Sequence, residues 1–244
     1  MDLNETKFQA SHRHPWETSR FGFFARLLQM NEKPVRILDA GAGDGWFSCS
    51  LHSVLPEGST ITCYDMHYTP EHLSELQKSA PPGVTFTTLP PEGIFDIVLL
   101  LDVAEHVEDD QKFLSNLVNT NIASHGHLLF SVPAWPHLYS GHDRFLRHFR
   151  RYTPAQAKEL LSASGLETTR SGGLFHLLFI ARSLQISFKK TGSQSSDISW
   201  HHGPLVTGAV YGVLYVDTLI SRLMSFAGIS LPGLSWWASC RKRT

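Results

Sequence analysis

The chain has 244 residues, 42% apolar and 18% charged, enough to bury a substantial core and better suited to one elaborated domain than to two. A formal net charge of −1 offers little attraction to a nucleic-acid polyanion, which argues against general RNA or DNA binding despite basic patches at 144–151 and 241–243. Cys49, Cys63 and Cys240 form no Cys-x-x-Cys pair, which argues against a disulfide framework or a zinc site and fits a reducing cytoplasm; residues 1–7 hold no apolar secretion-signal core.

The first predicted element is an amphipathic helix. Pro15 suits its start, and Phe21, Phe24, Leu27 and Leu28 recur at helical spacing. Core packing accounts for these residues but not for His14, Trp16 or Arg20. Residues 35–39 read as a β-strand, followed by Gly41, Gly43 and Gly45 at alternate positions and then by a helix through Trp46, Phe47, Cys49, Leu51 and Leu55. A strand, a glycine turn and a helix let a ligand lie close to the backbone. A dinucleotide fingerprint needs its third glycine one place later, and the carboxylate of Asp39 would repel a pyrophosphate while suiting a ligand with an ammonium group and a sulfonium. The pattern Asp39-x-Gly41-x-Gly43-x-Gly45 resembles the first motif of the class I S-adenosylmethionine-dependent methyltransferases. In that family a helix ahead of the first strand closes over the cofactor, which implies contact between Arg20 and the methionine part.

The second strand, 59–65, ends at Asp65. In nucleotide-binding α/β domains an acid there accepts hydrogen bonds from the ribose hydroxyls, and Met66 is placed to lie against the adenine. A helix over 71–77 and a short strand over 84–88 follow. In the resembled family an acid or amide commonly follows that strand, whereas here Thr88-Leu89-Pro90-Pro91 stands in its place. Residues 94–101 form a continuous apolar run, as in a central parallel strand, and lead into Asp102, Glu105 and His106. This stretch resembles the fourth-strand motif of small-molecule methyltransferases, which places Asp102 and His106 on the methyl-transfer side. His106 has two readings: it takes a proton from the acceptor, or Glu105-His106 orders the loop and shapes the pocket. A helix over 111–123 and a fifth strand over 126–133 complete an alternation that implies a doubly wound parallel sheet.

The segment 135–154 leaves the fifth strand at the ligand-binding edge, dense in His, Asp, Arg and aromatic residues. It resembles a loop found in a bacterial subset of class I methyltransferases, in which His-Asp is followed by a further His and then Arg-Arg-Tyr-Thr. Three readings stand for it. In the first, Arg147, Arg150 or Arg151 clamps a carboxylate or phosphate, with Tyr139 and Tyr152 as aromatic walls. In the second, His142, Asp143 and His148 hold a metal, although their spacing matches no familiar motif. In the third, His142, Asp143 and Arg151 tie the loop to the sheet. The reading adopted puts catalysis on His106 and His142, places substrate contacts on Tyr139, Arg147, His148, Arg151 and Tyr152, and assigns no metal.

Thr153-Pro154 opens a helix over 155–163, and a sixth strand spans 165–170. A strongly apolar helix over 174–188 ends at Lys189-Lys190; residues 192–197 are polar. The apolar run 205–220 falls short of a membrane span, and its Gly and Asp residues predict a buried helix lining the substrate cavity or an interfacial one. Residues 231–242 resemble the strand that closes the seven-stranded sheet of the same methyltransferase subset.

The resemblance therefore implies one α/β domain over 1–244: a doubly wound, seven-stranded, mostly parallel sheet with an N-terminal helical cap (1–31), a Rossmann-like core (32–173), a helical elaboration (174–230) and a closing strand (231–244). It implies a cytoplasmic S-adenosylmethionine-dependent methyltransferase of a small molecule, the donor held by Asp39, Gly41, Gly43, Gly45, Asp65, Met66, Asp102 and Arg20. The apolar helices suggest a lipid-linked acceptor with peripheral membrane contact and no transmembrane span, and the arginines an acidic one. The oligomeric state stays open. The competing readings are a nicotinamide-dependent oxidoreductase and a non-catalytic S-adenosylmethionine-binding interaction protein.

Overall fold

The computed structural model describes residues 13–28, 33–188 and 202–243. Its strands are β1 (Arg36–Ala40), β2 (Thr60–Tyr64), β3 (Val84–Thr87), β4 (Phe95–Leu101), β5 (Ile122–Pro133), β6 (Leu166–Leu174) and β7 (Ser235–Lys242). They form one sheet in the order β3-β2-β1-β4-β5-β7-β6. β7 lies antiparallel between β5 and β6, and the other neighbouring pairs are parallel. The doubly wound, seven-stranded, mostly parallel sheet expected from the sequence is the one found. Strand order reverses between β1 and β4, and in such sheets ligands bind outside the carboxyl ends of the strands at that reversal.

The helices are α1 (Pro15–Leu27), α2 (Trp46–His52), α3 (Pro70–Ser79), α4 (Asp110–Asn121), α5 (Gly141–Phe145), α6 (Pro154–Ala163), α7 (His176–Phe188) and α8 (Pro204–Phe226). Because side chains alternate across a strand, the sheet carries a core on each face. Leu38, Val98, Leu100, Trp236 and Ala238 pack with Leu114, Val118 and Leu161 of α4 and α6. Ile37, Leu99 and Trp237 pack on the other face with Phe23 and Phe24 of α1 and Leu51 of α2.

Several elements run longer than predicted. β5 starts directly at the end of α4, and β6 continues to Leu174 because β7 pairs with it throughout that length. α5 falls within the segment read as loop, closed by a capping box between Ser140 and Asp143. The polar stretch 192–197 lies outside the described residues.

The largest correction concerns α8: of its two readings, the buried helix is not the one found, since the apolar run extends past 220 and is mostly exposed. The helix reaches Phe226, is long and apolar enough to cross a membrane by length and composition, and has 22% of that apolar window buried. Its polarity is inverted. Asp217, Thr218, Ser221 and Ser225 are buried, while Leu205, Val213, Val216, Ile220, Leu223 and Phe226 are exposed. Asp217 explains its own burial: its carboxylate accepts the backbone N–H groups of His176 (3.0 Å) and Leu177 (2.8 Å), capping the start of α7.

Candidate active site

The site is built first on the turn between β1 and α2. Gly41, Gly43 and Gly45 have φ of 80°, 56° and 70°, the left-handed region that glycine enters without steric cost. The turn is also crowded. A Cβ on Gly41 would lie 2.4 Å from Val103 Cγ2, and one on Gly45 2.4 Å from Phe86 Cε1. The turn's N–H groups are largely used internally: Gly41 donates to Tyr64 O, Gly45 to Ala42 O, Gly43 to Asp65 Oδ2 (3.1 Å) and Trp46 to Asp44 Oδ1 (3.2 Å). Two of these acceptors are carboxylates, standing where a pyrophosphate would rest in a dinucleotide site, so the oxidoreductase reading loses its anchor.

Around this turn the crevice is acidic. Asp39, buried at the end of β1, accepts a hydrogen bond from Ser48 Oγ at 2.7 Å, and burial pushes its carboxyl up to about 6. Asp65 is half-buried just past β2, bonded through Oδ2 to Gly43 N and through Oδ1 to His67 N at 2.9 Å. Each oxygen keeps a further lone pair, enough to accept from a vicinal diol. Met66 is 70% exposed beside it. Asp102, directly after β4, has φ 59°, an uncommon conformation for a residue with a side chain. Carboxylates, glycines and left-handed backbone thus meet at one edge, and this donor set fits the ammonium, sulfonium and ribose of S-adenosylmethionine.

Arg20 brings α1 into the same edge. Its Nη2 lies 2.7 Å from Asp102 Oδ2 and 3.2 Å from Ser131 Oγ, and its guanidinium sits over the rings of Trp16 and Phe24. Arg13 pairs with Asp44 at the glycine turn. Ion pairs from Arg20 on α1 and from Arg13 just ahead of it therefore fasten this end of the chain across the crevice, leaving about 20 Å³ of open space among Glu17, Arg20, Asp44, Trp46 and Phe47. A larger depression of about 350 Å³ is lined by Arg36, Thr62, Thr87, Phe95 and residues 89–92. It includes no residue of the glycine turn, and the chemistry assigns the ligand to the turn instead.

The loop after β5 is held from within. Asp143 is fully buried. Its Oδ1 accepts from Arg151 Nε at 2.7 Å and lies 3.1 Å from His148 Nδ1; its Oδ2 accepts from Ser140 N and Oγ. Burial alone would raise its carboxyl, but the bonds from His148, Arg151 and Ser140 outweigh it and hold the group well below the usual range. Arg151 also donates to Ala134 O at 3.2 Å, and Tyr139 Oη donates to His148 O at 2.7 Å. Tyr152 is buried, its hydroxyl donating to Asp110 Oδ2 (2.6 Å) with Ala104 O also near, at 3.1 Å. Arg151 and Tyr152, read as substrate contacts, are thus engaged in the loop's own network. Arg147 is exposed with φ 59°, and His142 is half-buried on α5, its pKa lowered chiefly by that burial.

His106 closes a short 3-10 turn after β4, and its ring stands perpendicular to that of His148, centroids 4.5 Å apart. Between them the structure adds Glu105, which the sequence reading gave only a loop-ordering part. It is fully buried, and burial followed by the neighbouring Asp102 charge raises its carboxyl far above the usual range. The run Asp102 to Asp110 is rich in acids, and nothing in it singled out Glu105 as the one that would be buried.

The model of a family described as a methyltransferase domain matches residues 14–171, which spans α1 through β6. A comparison with curated protein sequences finds no match. Among solved structures, an S-adenosylmethionine-dependent methyltransferase from Mesorhizobium loti is similar, with a TM-score of 0.54 and 16% identity over 90% of this chain and 96% of its own. The 1,6-didemethyltoxoflavin-N1-methyltransferase of Burkholderia thailandensis, solved with bound 1,6-didemethyltoxoflavin and S-adenosylhomocysteine, gives 0.51 and 17% over 94% and 79%. The cyclase SpnF gives 0.56 and 15% over 96% and 88%, so this fold also carries other chemistry. At these identities the structures speak for the fold, and the family model for membership: the chain belongs to the methyltransferase domain family, on the class I fold, with S-adenosylmethionine as its cofactor.

Proposed function

We propose that the protein methylates a small acceptor with an acidic head and an apolar, lipid-like body, taken up at a membrane surface. The observation that carries this reading is the outward apolar face of α7 and α8. Leu177, Ile180, Leu184, Val213, Val216, Ile220 and Leu223 are exposed there, and the charged residues that α7 and α8 contribute to the described surface are Arg182 and Arg222. An exposed apolar patch rimmed by cations suits an anionic bilayer surface. α7 also leads back to the site: Phe179 packs against Trp135 of the segment after β5, ring centroids 5.7 Å apart. Arg147, exposed on the same segment, is the arginine proposed to meet the acidic head.

S-adenosylmethionine, when bound, supplies an electrophilic methyl group on sulfur. Asp65 receives the ribose hydroxyls, Asp39 and Asp102 face the positive end, and Arg20 meets the methionine carboxylate, exchanging its bond to Asp102 for it. Functional pockets typically enclose roughly 300–1,000 Å³, so α1 swings outward to admit the cofactor and closes again to exclude water. The residues act chiefly by orientation in a dry site. His142, kept neutral by burial, and His106 on the transfer side are the proton acceptors in this reading. The three free thiols of Cys49, Cys63 and Cys240 accord with a reducing compartment.

The test is co-flotation with vesicles of neutral lipid, with and without a fifth of anionic lipid, followed by transfer of labelled methyl to extracted lipid. Flotation only with anionic vesicles, and label in the lipid phase, are expected. A protein that stays in the aqueous layer under both conditions overturns the lipid reading, and S-adenosylmethionine bound but never consumed overturns methyl transfer.

A further inference from the structure

A second ligand set lies beside the cofactor crevice. Glu105, His106 and His148 bring a carboxylate oxygen and two imidazole nitrogens to within 4.8 Å of one another. Two come from the turn after β4 and the third from the loop after β5. Their meeting is made by tertiary structure, pinned where the backbone N–H of Phe149 donates to Glu105 O at 2.7 Å.

Two independent features distinguish this cluster from a chance gathering. Neither carboxylate oxygen of Glu105 has a hydrogen-bond partner among the described residues; its own amide N–H approaches without reaching hydrogen-bond geometry. A buried carboxylate without donors is costly unless something cationic satisfies it. The second feature is the orientation of His148. Its Nδ1 faces Asp143 Oδ1 at 3.1 Å, and Asp143 is itself fixed by Arg151 and Ser140. With Nδ1 carrying the proton toward that carboxylate, the lone pair of His148 resides on Nε2. A carboxylate that orients one ring nitrogen while the other faces an ion is the usual outer arrangement of metal-binding histidines.

We propose that Glu105, His106 and His148 bind one divalent transition-metal ion, zinc in the first instance, in a site with a coordination position open to the acceptor. Two imidazoles and one carboxylate suit zinc or ferrous ion, whereas magnesium and calcium prefer oxygen throughout. Tetrahedral ligand atoms about 2.0–2.2 Å from zinc stand roughly 3.4 Å apart, so side chains now within 4.8 Å of one another close by about 1 Å on the ion. Local charge permits it: the nearby Arg20 and Arg151 are each paired, with Asp102 and Asp143, so neither guanidinium is left unopposed beside Glu105. This trio differs from His142, Asp143 and His148, the trio visible in the sequence, in which Asp143 proves to be the orienting group.

The site deepens the methyltransferase reading and rests on it. A hydroxyl of the acceptor placed on the ion becomes more acidic and releases its proton to solvent or to His142. The oxygen lone pair then forms the C–O bond as the S–CH₃ bond breaks, and sulfur leaves with the bonding pair as a neutral thioether. His106 is in this case a ligand and not the base, and the nucleophile is oxygen.

The experiment uses full-length protein without a histidine tag, stripped with a chelator and titrated calorimetrically with zinc chloride. Cobalt(II) serves as a spectroscopic probe of tetrahedral nitrogen and oxygen ligation, and S-adenosylmethionine binding is measured on the same samples. One zinc per chain is expected, with affinity reduced at least 100-fold in Glu105→Gln and His148→Asn, about 10–100-fold in Asp143→Asn, and unchanged in His142→Ala. Glu105→Gln preserves the shape of the buried side chain, and thermal melts report folding of each variant. Wild-type protein that takes up no zinc, or folded Glu105→Gln and His148→Asn that bind it as wild type does, overturns the metal site. Cofactor binding that persists without metal uptake leaves the methyltransferase reading standing, so the two failures are distinguishable.

Discussion

Arg20 Nη2 and Asp102 Oδ2 lie 2.7 Å apart, tying the N-terminal helix α1 to the end of the central strand β4. The pair joins the one cation of α1 that reaches the crevice to the acid whose backbone is left-handed, and Ser131 of β5 bonds to both. In the proposed function this pair opens when the amino-acid end of the cofactor takes its place.

Replacing Arg20 by Met, which keeps the stem and its packing on Trp16 and Phe24, is therefore expected to weaken S-adenosylmethionine binding about tenfold, near 1.4 kcal/mol. Calorimetric titration measures it. Binding as tight as wild type removes Arg20 from the cofactor site and leaves it as a latch alone.

If Asp39 faces the cofactor as proposed, cofactor binding is expected to depend on pH. Its folded carboxyl titrates near 6 instead of near 3.8, so between these values the folded state holds a proton that the unfolded state has lost. Its contribution to stability is full below about pH 4 and is lost as pH rises through 6. Asp39→Asn is expected to be more stable than wild type at pH 8 and to lose that advantage by pH 4, by urea denaturation. A cationic ligand prefers the ionised carboxylate, so wild-type affinity should fall as pH drops below 6 while that of Asp39→Asn stays flat.

Gly45→Ala combines a strained φ of 70° with a Cβ 2.4 Å from the Phe86 ring. We expect a loss of about 2–4 kcal/mol, part from backbone strain of about 1–2 kcal/mol and part from the clash. Since the clash is with a side chain, adding Phe86→Leu should recover the second part only. A double-mutant cycle in thermal stability separates them, and strict additivity would show that the ring is not the obstacle.

Arg151→Met leaves Asp143 buried with one charged partner fewer. Removing one member of a buried pair costs about 3–5 kcal/mol, so the variant is expected to be markedly less stable, with loss of order in residues 140–152 visible by hydrogen exchange. A variant that melts like wild type but no longer turns over would restore Arg151 to the substrate.

Asp217→Ala removes the cap from α7. A lost cap costs about 0.5–2 kcal/mol, and faster amide exchange confined to the first turn of α7 is the expected signature. The same substitution should leave zinc and S-adenosylmethionine binding unchanged.

The gathering of the residues proposed to hold the cofactor was largely legible in the chain itself. Asp39, Gly41, Gly43, Gly45 and Asp65 sit at fixed offsets on consecutive elements, and a βα turn places such residues together through local geometry alone. The loop at 135–154 was less legible: its side chains could be counted, but whether an arginine there meets a ligand or Asp143 depends on which groups the fold delivers beside it.

Unaided, the sequence determined the alternation of strands and helices, the glycine turn and the acid at its far side, because hydrophobic period and backbone sterics act over a few residues. Only the tertiary structure decided that Arg20 meets Asp102, that Glu105 is buried beside His148, and that α8 turns its polar side inward. Burial, and the desolvation that gives a charge its pKa and its partner, is set by elements distant in the chain and carries no local signature.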